Sequence, residues 1–290
     1  MPLSTARPSH ATPKRGTAPN ILVTGASSGI GLATISQLAA KGARVFAGIR
    51  NSDHTTLVKD VGAQPVPLDL SDPESIRRVG EWLSEEVGSD GLLALVNNAG
   101  WALAGPLELL SRRDLEAQFS VNLFGLLELT TTLLPLMRIA APGSRIVNIS
   151  SVSGRLATPF AGAYAASKHS LEAITDALRQ ELRPWRIRVL RVVPGRVATP
   201  IWGKARSQLE TLLAESQHSC TEAYREQLAP RIRRSSAELR TTPDMVADTI
   251  VRAIFSRSPR STYFVGRDAR IMCWLGRLPV PIRDMLLRRL

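Results

Sequence analysis

Tyr164-Ala165-Ala166-Ser167-Lys168 sets a phenol and an ammonium four residues apart on a predicted helix, so both side chains leave the same face. Such a pair suits proton transfer at an oxygen, although the same spacing also occurs as a plain surface pair. Thirteen residues upstream, Ser151 ends the apolar run around Asn148-Ile149-Ser150. Asn97-Asn98-Ala99-Gly100 ends another such run, and Asn122 sits inside the helix predicted to follow it. Near the start lies Thr24-Gly25-Ala26-Ser27-Ser28-Gly29-Ile30-Gly31, between a predicted strand and a predicted helix. Glycines there let the backbone turn tightly and approach a pyrophosphate, whose charge then faces a helix N-terminus. The spacing is G-x-x-x-G-x-G, which taken alone is also met in ordinary glycine-rich turns.

The elements needed to position these residues are visible in the apolar pattern. Runs at Ile21–Thr24, Arg44–Ile49, Pro65–Leu68, Leu92–Asn97, Arg145–Ser150 and Ile187–Val193 are predicted strands. Several lack polar alternation, as parallel strands covered on both faces do. Amphipathic stretches at Gly29–Lys41, Pro73–Val87, Arg112–Met137 and Tyr164–Leu182 lie between them. That succession predicts a single α/β domain over residues 20–266, a doubly wound parallel sheet of about seven strands with Tyr263–Val265 as the last. Residues 201–240 break the rhythm and are expected to form one or two helices on the ligand-binding side.

At this point the chain resembles the short-chain dehydrogenases/reductases. The resemblance covers roughly residues 20–200 in unbroken order: TGxxxGxG, Asp69, NNAG, Asn122, Ser151, YxxxK, and Pro194-Gly195 leading to Thr199. It implies a Rossmann-type fold and oxidoreduction of an alcohol and its carbonyl with a nicotinamide cofactor. Tyr164 would be the general acid/base, Ser151 would orient the substrate oxygen, and Asn122 would hold a water in the proton relay. Lys168 would bind the nicotinamide ribose and lower the tyrosine pKa. Gly25, Ser27, Ser28, Gly29, Ile30 and Gly31 would cradle the pyrophosphate. Asp69, Leu70, Asn97, Ala99 and Gly100 would line the adenine side. Pro194, Gly195, Val197 and Thr199 would meet the nicotinamide end, which Tyr164 and Lys168 also touch. Tyrosine must shift by about 3 units, or about 4 kcal/mol, to act as a base at pH 7. One ammonium about 4 Å away at an effective dielectric of about 20 supplies about that much.

The second strand ends at Ile49-Arg50 rather than in the acid that would accept the ribose 2′-hydroxyl of NAD. Arginine suits a 2′-phosphate by charge and fork geometry, so NADP(H) is expected over NAD(H), with the nearby Asp53 weighing against it. Within the family the chain looks like the hydroxysteroid, retinol and 3-hydroxybutyrate dehydrogenase branch. Trp101 and Trp202 tilt the expected substrate to a bulky apolar alcohol or ketone over a small hydroxy acid. A non-catalytic NADP-binding sensor on the same fold is the rival reading, disfavoured because Ser151, Tyr164 and Lys168 all stand. Arg155, Leu156 and Phe160 are expected to edge the pocket, the last two with core packing as the alternative.

Composition sets the remaining bounds. The chain has 290 residues and a net charge of +12, concentrated as +3 in residues 1–20 and +8 in residues 225–290. A nearly neutral middle and the lack of any zinc-finger or RNA-binding signature speak against nucleic acid. The most apolar run, Leu123–Met137, is short for a membrane span and carries Glu128. Cys220 and Cys273 fit no disulfide framework and no metal cluster, so a reducing, cytoplasmic setting is expected and no metal. Residues 1–19 read as a mobile basic tail and 267–290 as a basic amphipathic extension. Its helix is expected to pack on its own domain or a partner subunit, in preference to an anionic membrane. A homodimer or homotetramer follows from the resemblance.

Overall fold

The computed structural model describes residues 18–235 and 241–289. Most of the N-terminal tail, including Arg7, Lys14 and Arg15, and the end of the 201–240 insertion lie outside the described residues. In chain order the elements are β1 Asn20–Thr24, α1 Gly29–Ala40, β2 Arg44–Ile49, α2 Thr55–Asp60, β3 Gln64–Pro67, α3 Pro73–Val87 and β4 Ala94–Asn97. They continue with α4 Arg112–Phe119, α5 Leu126–Ile139, β5 Arg145–Ile149, α6 Gly162–Glu181, β6 Arg188–Pro194, α7 Ile201–Glu215 and α8 Thr221–Ser235. The last are α9 Pro243–Phe255, β7 Thr262–Val265, α10 Arg267–Leu275 and α11 Val280–Arg289.

Among the described residues the strands form one parallel sheet in the order β3-β2-β1-β4-β5-β6-β7. The order reverses between β1 and β4, and at such a switch point the loops leaving the carboxyl ends diverge to open a crevice. Two apolar layers hold the sheet. Val23, Val45, Ile35, Ile250 and Ile254 pack on the face under α1 and α9. Leu22, Phe46, Leu83, Leu95, Leu129 and Leu133 pack on the face under α3 and α5. Their alternation along β1 and β2 explains why neither strand shows a polar side in the sequence.

The predicted single helix Arg112–Met137 is divided. A π-helical turn at Ser120–Gly125 joins α4 to α5 and contains Asn122. Gly125 makes this possible, because a β-carbon there would run into the Leu70 backbone. The whole helical run, Arg112–Ile139, is long and apolar enough to cross a membrane, longer than Leu123–Met137 suggested. Its inner face is core: Leu126, Leu129, Leu133 and Met137 are buried.

In the C-terminal extension α10 packs on its own domain, but by a narrow face. α10 buries Ala269 and Leu275 against the domain, while Ile271 and Trp274 remain exposed beside Arg267 and Arg270. Ile271 and Trp274 are thus on the outer face, while the helix end comes close to the turn after β5. Gly276 lies so near the Arg155 carbonyl that a β-carbon would come within 2.5 Å of its oxygen.

Candidate active site

The glycine loop follows β1 at the crevice. Gly25 and Gly29 have φ of 63° and 52°, a region that β-carbon-bearing residues enter at a cost. A β-carbon on Gly25 would stand 2.7 Å from Ala99 Cα, so the loop is pressed against the turn after β4. Asn98 clamps the two together, its Nδ2 donating to the carbonyls of Thr24 (2.9 Å) and Gly25 (3.0 Å). The Thr24 hydroxyl accepts from the backbone N–H groups of Asn98 and Ala99. At the N-terminus of α1, Ser28 makes no side-chain cap and the first turn carries no acid. Its N–H groups thus face the loop unneutralised, a setting that fits a pyrophosphate. Ser27, Ser28 and Ile30 share this loop, and Gly31 packs against Asn98 Nδ2.

Asn97 is placed otherwise than expected for an adenine-side residue. It is the last residue of β4, 1% exposed, and its amide donates to Thr130 Oγ1 (3.0 Å) and Asn148 Oδ1 (2.9 Å). Asn148 passes the chain on to Thr175 at 2.8 Å. The side chain is committed to a buried polar network between β4, β5 and their covering helices. Asp69 accepts from the Ser71 backbone N–H and hydroxyl, and Leu70 is buried. Arg50 stands exposed just after β2, and Asn51 caps the turn behind it, its Oδ1 accepting from Asp53 N and its Nδ2 donating to the Asp53 carboxylate.

The chemistry-bearing residues meet at the carboxyl ends of β4 and β5. Ser151, Tyr164, Lys168 and Asn122 are each at most 6% exposed. Burial raises the Tyr164 phenol to about 12, against which a hydrogen bond with Ser151 favours the anion. Ser151 Oγ also accepts from the Ser153 N–H at 3.1 Å, which fixes its rotamer. Lys168 Nζ donates to the Ile149 carbonyl at 2.9 Å and lies 5.9 Å from the centre of the Tyr164 ring. Burial lowers its pKa to about 8, partly countered by Glu172. At pH 7 the amine is thus mainly protonated and the phenol neutral. The expected depression of the tyrosine pKa by Lys168 is not expressed: the ammonium is turned to the Ile149 carbonyl.

Asn122 is fully buried, with Nδ2 donating to Trp101 O (3.0 Å) and Ser167 Oγ (3.1 Å) and Oδ1 accepting from Trp101 N (3.1 Å). Gly100 leaves room for this: a β-carbon there would lie 3.1 Å from Asn122 Oδ1 and 3.7 Å from Lys168 Nζ. Gln118 braces the same loop at Leu103 N (2.7 Å) and Trp101 O (2.9 Å).

Pro194 and Gly195 end β6, and Val197 pairs with Thr241. Thr199 faces the glycine loop, where a β-carbon on Gly29 would stand 3.0 Å from Thr199 Cγ2. Asp268, from the first turn of α10, reaches into this turn and accepts from Arg196 N at 2.6 Å. Gly195 leaves the space the carboxylate occupies. Over the site lies α7: Trp202 meets the Tyr164 ring edge-on at 5.7 Å, and Ala102, Ala205 and Ile201 complete an apolar wall. Of the expected pocket edge, Arg155 turns away to Glu172 (2.6 Å) and Leu156 is core at 2% exposure. Phe160 packs with Leu209, Leu213 and Tyr224 under the α7–α8 cap.

The crevice, the glycine loop and the buried Ser–Tyr–Lys–Asn group define a dinucleotide-dependent oxidoreductase on a Rossmann-type sheet. The chain belongs to the short chain dehydrogenase family, whose sequence pattern matches residues 19–210. Short-chain dehydrogenase/reductase family 9C member 7 of Homo sapiens is 35% identical over 93% of this chain and 88% of its own length. Retinol dehydrogenase 16 of Homo sapiens is 34% identical over 87% of this chain and 82% of its own. A solved short chain dehydrogenase/reductase from Burkholderia phymatum, in complex with NAD, superimposes with a TM-score of 0.75 and 25% identity, covering 93% of this chain and 95% of that one.

Proposed function

We propose that the protein interconverts a lipophilic primary or secondary alcohol and its carbonyl compound, with NADP(H) preferred over NAD(H). The observation that carries this reading is the buried group itself: Ser151, Tyr164 and Lys168 together at the carboxyl end of β5, each at most 6% exposed, with an apolar wall of Ala102, Ala205 and Trp202 in front. The nicotinamide, when bound, supplies or accepts the hydride. The chain's own residues handle the proton and the geometry. Ser151 holds the substrate oxygen by its hydroxyl, and Tyr164 gives that oxygen a proton in reduction or takes it in oxidation. A phenol held near 12 is a competent donor; for the reverse direction its anion must be stabilised. Lys168, the cation beside the ring, would supply that stabilisation and would hold the cofactor's ribose. The Asn122 side chain is occupied by Trp101 and Ser167, so its main chain is left to hold a relay water.

The preference for NADP(H) is supported by Arg50, exposed where a 2′-phosphate would lie and carrying, among the described residues, no ion pair. The fold alone does not choose, since a similar structure holds NAD. A lipophilic substrate is supported by the apolar wall and by likeness to a retinol dehydrogenase. The same proposal places the enzyme in the cytoplasm, on its two free cysteines, and as a homodimer or homotetramer, on the resemblance. The test is a turnover screen of purified protein with NADPH and NADP, across steroid, retinoid, fatty and small hydroxy-acid substrates. Turnover confined to the hydroxy acids would contradict the substrate class.

A further inference from the structure

On the edge of the sheet opposite the active site, at the amino-terminal ends of β5, β6 and β7, lies a solvent-open cleft of about 890 Å³. Six arginines line it: Arg145, Arg179, Arg183, Arg186, Arg188 and Arg257. Its lining contains no Asp or Glu. Five of the six lie within residues 21–224, whose net charge is only +1, so the fold gathers the cations of a nearly neutral stretch in one concavity. Among the described residues, Arg179 is the one of the six that is ion-paired, with Asp176.

Arg145 is the decisive residue. It opens β5 and is 9% exposed, yet its Nη groups donate only to neutral carbonyls, those of Gly143 and Ser256 (the latter at 2.7 Å). Its Nε is buried with no partner. A buried cation normally acquires a carboxylate, because desolvation is otherwise uncompensated. Here burial and the neighbouring Arg188 instead hold its pKa below the usual guanidinium value. A fold that gathers six guanidiniums at one place against a single paired acid, Asp176, carries a repulsion that a bound anion removes.

We propose that this cleft is a second ligand site, which takes a small polyanion bearing at least two phosphate groups. Guanidinium forks match phosphate oxygens two at a time, and several are needed to span adjacent phosphates. The volume lies in the range of small-ligand pockets and accommodates a pyrophosphate or triphosphate chain. Such a chain comes as inorganic polyphosphate or on a nucleoside; the arginines read the part the two share. The site is separate from the dinucleotide crevice. From Arg145 to Ser151 the chain runs six residues of extended backbone, about 20 Å. β5 therefore joins the cleft at one end to Ser151 at the other.

The experiment is calorimetric titration of the full chain with inorganic tripolyphosphate at physiological salt, with and without one equivalent of NADPH, which fills the dinucleotide crevice first. The expected result is one tripolyphosphate per chain in both conditions. Arg183→Ala/Arg188→Ala, both exposed and therefore harmless to the fold, should weaken binding by about tenfold or more. Removing two charges elsewhere, as Arg267→Ala/Arg270→Ala, should change it less than about twofold. ATP binding as tightly as tripolyphosphate would mean that phosphates alone are read, and tighter binding that the nucleoside is read too; both support the site. Four results would overturn it: no binding, loss of binding on adding one equivalent of NADPH, equal loss in the two double variants, or tighter binding of a single-stranded oligonucleotide through the same arginines.

Discussion

Replacing Lys168 by methionine should make the protein more stable at neutral pH while removing its activity. The amine is buried, and its pKa is lowered to about 8 from 10.5. Below pH 8 both folded and unfolded states carry the proton, and the folded state bears the whole desolvation penalty. The difference of about 2.5 units corresponds to about 3 kcal/mol. Between pH 8 and 10.5 the unfolded chain binds more protons than the folded one, so wild-type stability rises with pH as the penalty is lifted. Methionine fills a similar volume without charge, but forfeits the bond to Ile149 O, worth about 1 kcal/mol. The net expectation is a gain of about 2 kcal/mol at pH 7, or roughly 5 °C in Tm. At pH 10.5 the gain should vanish or reverse slightly; Tyr164, held near 12, stays protonated in both proteins and cancels. Urea unfolding of both proteins at pH 7 and 10.5 measures this directly. An equal difference at both pH values, or a destabilised variant at pH 7, would refute the argument that a buried ammonium is kept at a cost to stability.

Arg50→Asp should weaken NADPH binding by about 3 kcal/mol and leave NADH binding nearly unchanged, as read by fluorescence titration of both nucleotides. Asn98→Ala should remove the clamp between the glycine loop and the turn after β4, costing about 2 kcal/mol of stability and weakening both nucleotides alike, measured by urea unfolding and the same titration. Deleting residues after Gly266 should cost about 4 kcal/mol, because Leu275 and the Asp268 bond to Arg196 N go with α10; deleting residues after Leu278 should cost little, since Val280, Ile282 and Met285 are exposed. Thermal unfolding of the two truncations separates these outcomes.

Much of the sheet was legible because its strands are apolar on both sides and end in the motifs. The helix carrying Tyr164 and Lys168 begins two residues before the sequence placed it, a difference ordinary for helix ends. α9 was passed over, although Thr242 and Pro243 mark its start and Val246, Ile250, Val251 and Ile254 keep helical spacing. Asn97 and Asn98 were confused by adjacency. Period-two alternation separates them: Asn97 shares a face with Leu95, which packs into the layer under α5, while Asn98 leaves the strand for the loop. The π-turn at Asn122 had no sequence signal, because it is imposed by the Leu70 backbone against Gly125. Asp268 lies 72 residues from its partner Arg196, and only the folded chain brings them together. Trp202 was noticed as an apolar residue, but its contact with the Tyr164 ring depends on how α7 crosses the site.

The central claim, that Tyr164 transfers the proton in a nicotinamide-dependent oxidoreduction, is tested most directly by comparing wild type with Tyr164→Phe in turnover and in nucleotide affinity. The variant keeps the ring against Trp202 and loses only the hydroxyl. Turnover should fall by about 10²–10⁴-fold while the NADPH Kd stays within about threefold. Turnover comparable to wild type in Tyr164→Phe would contradict the account.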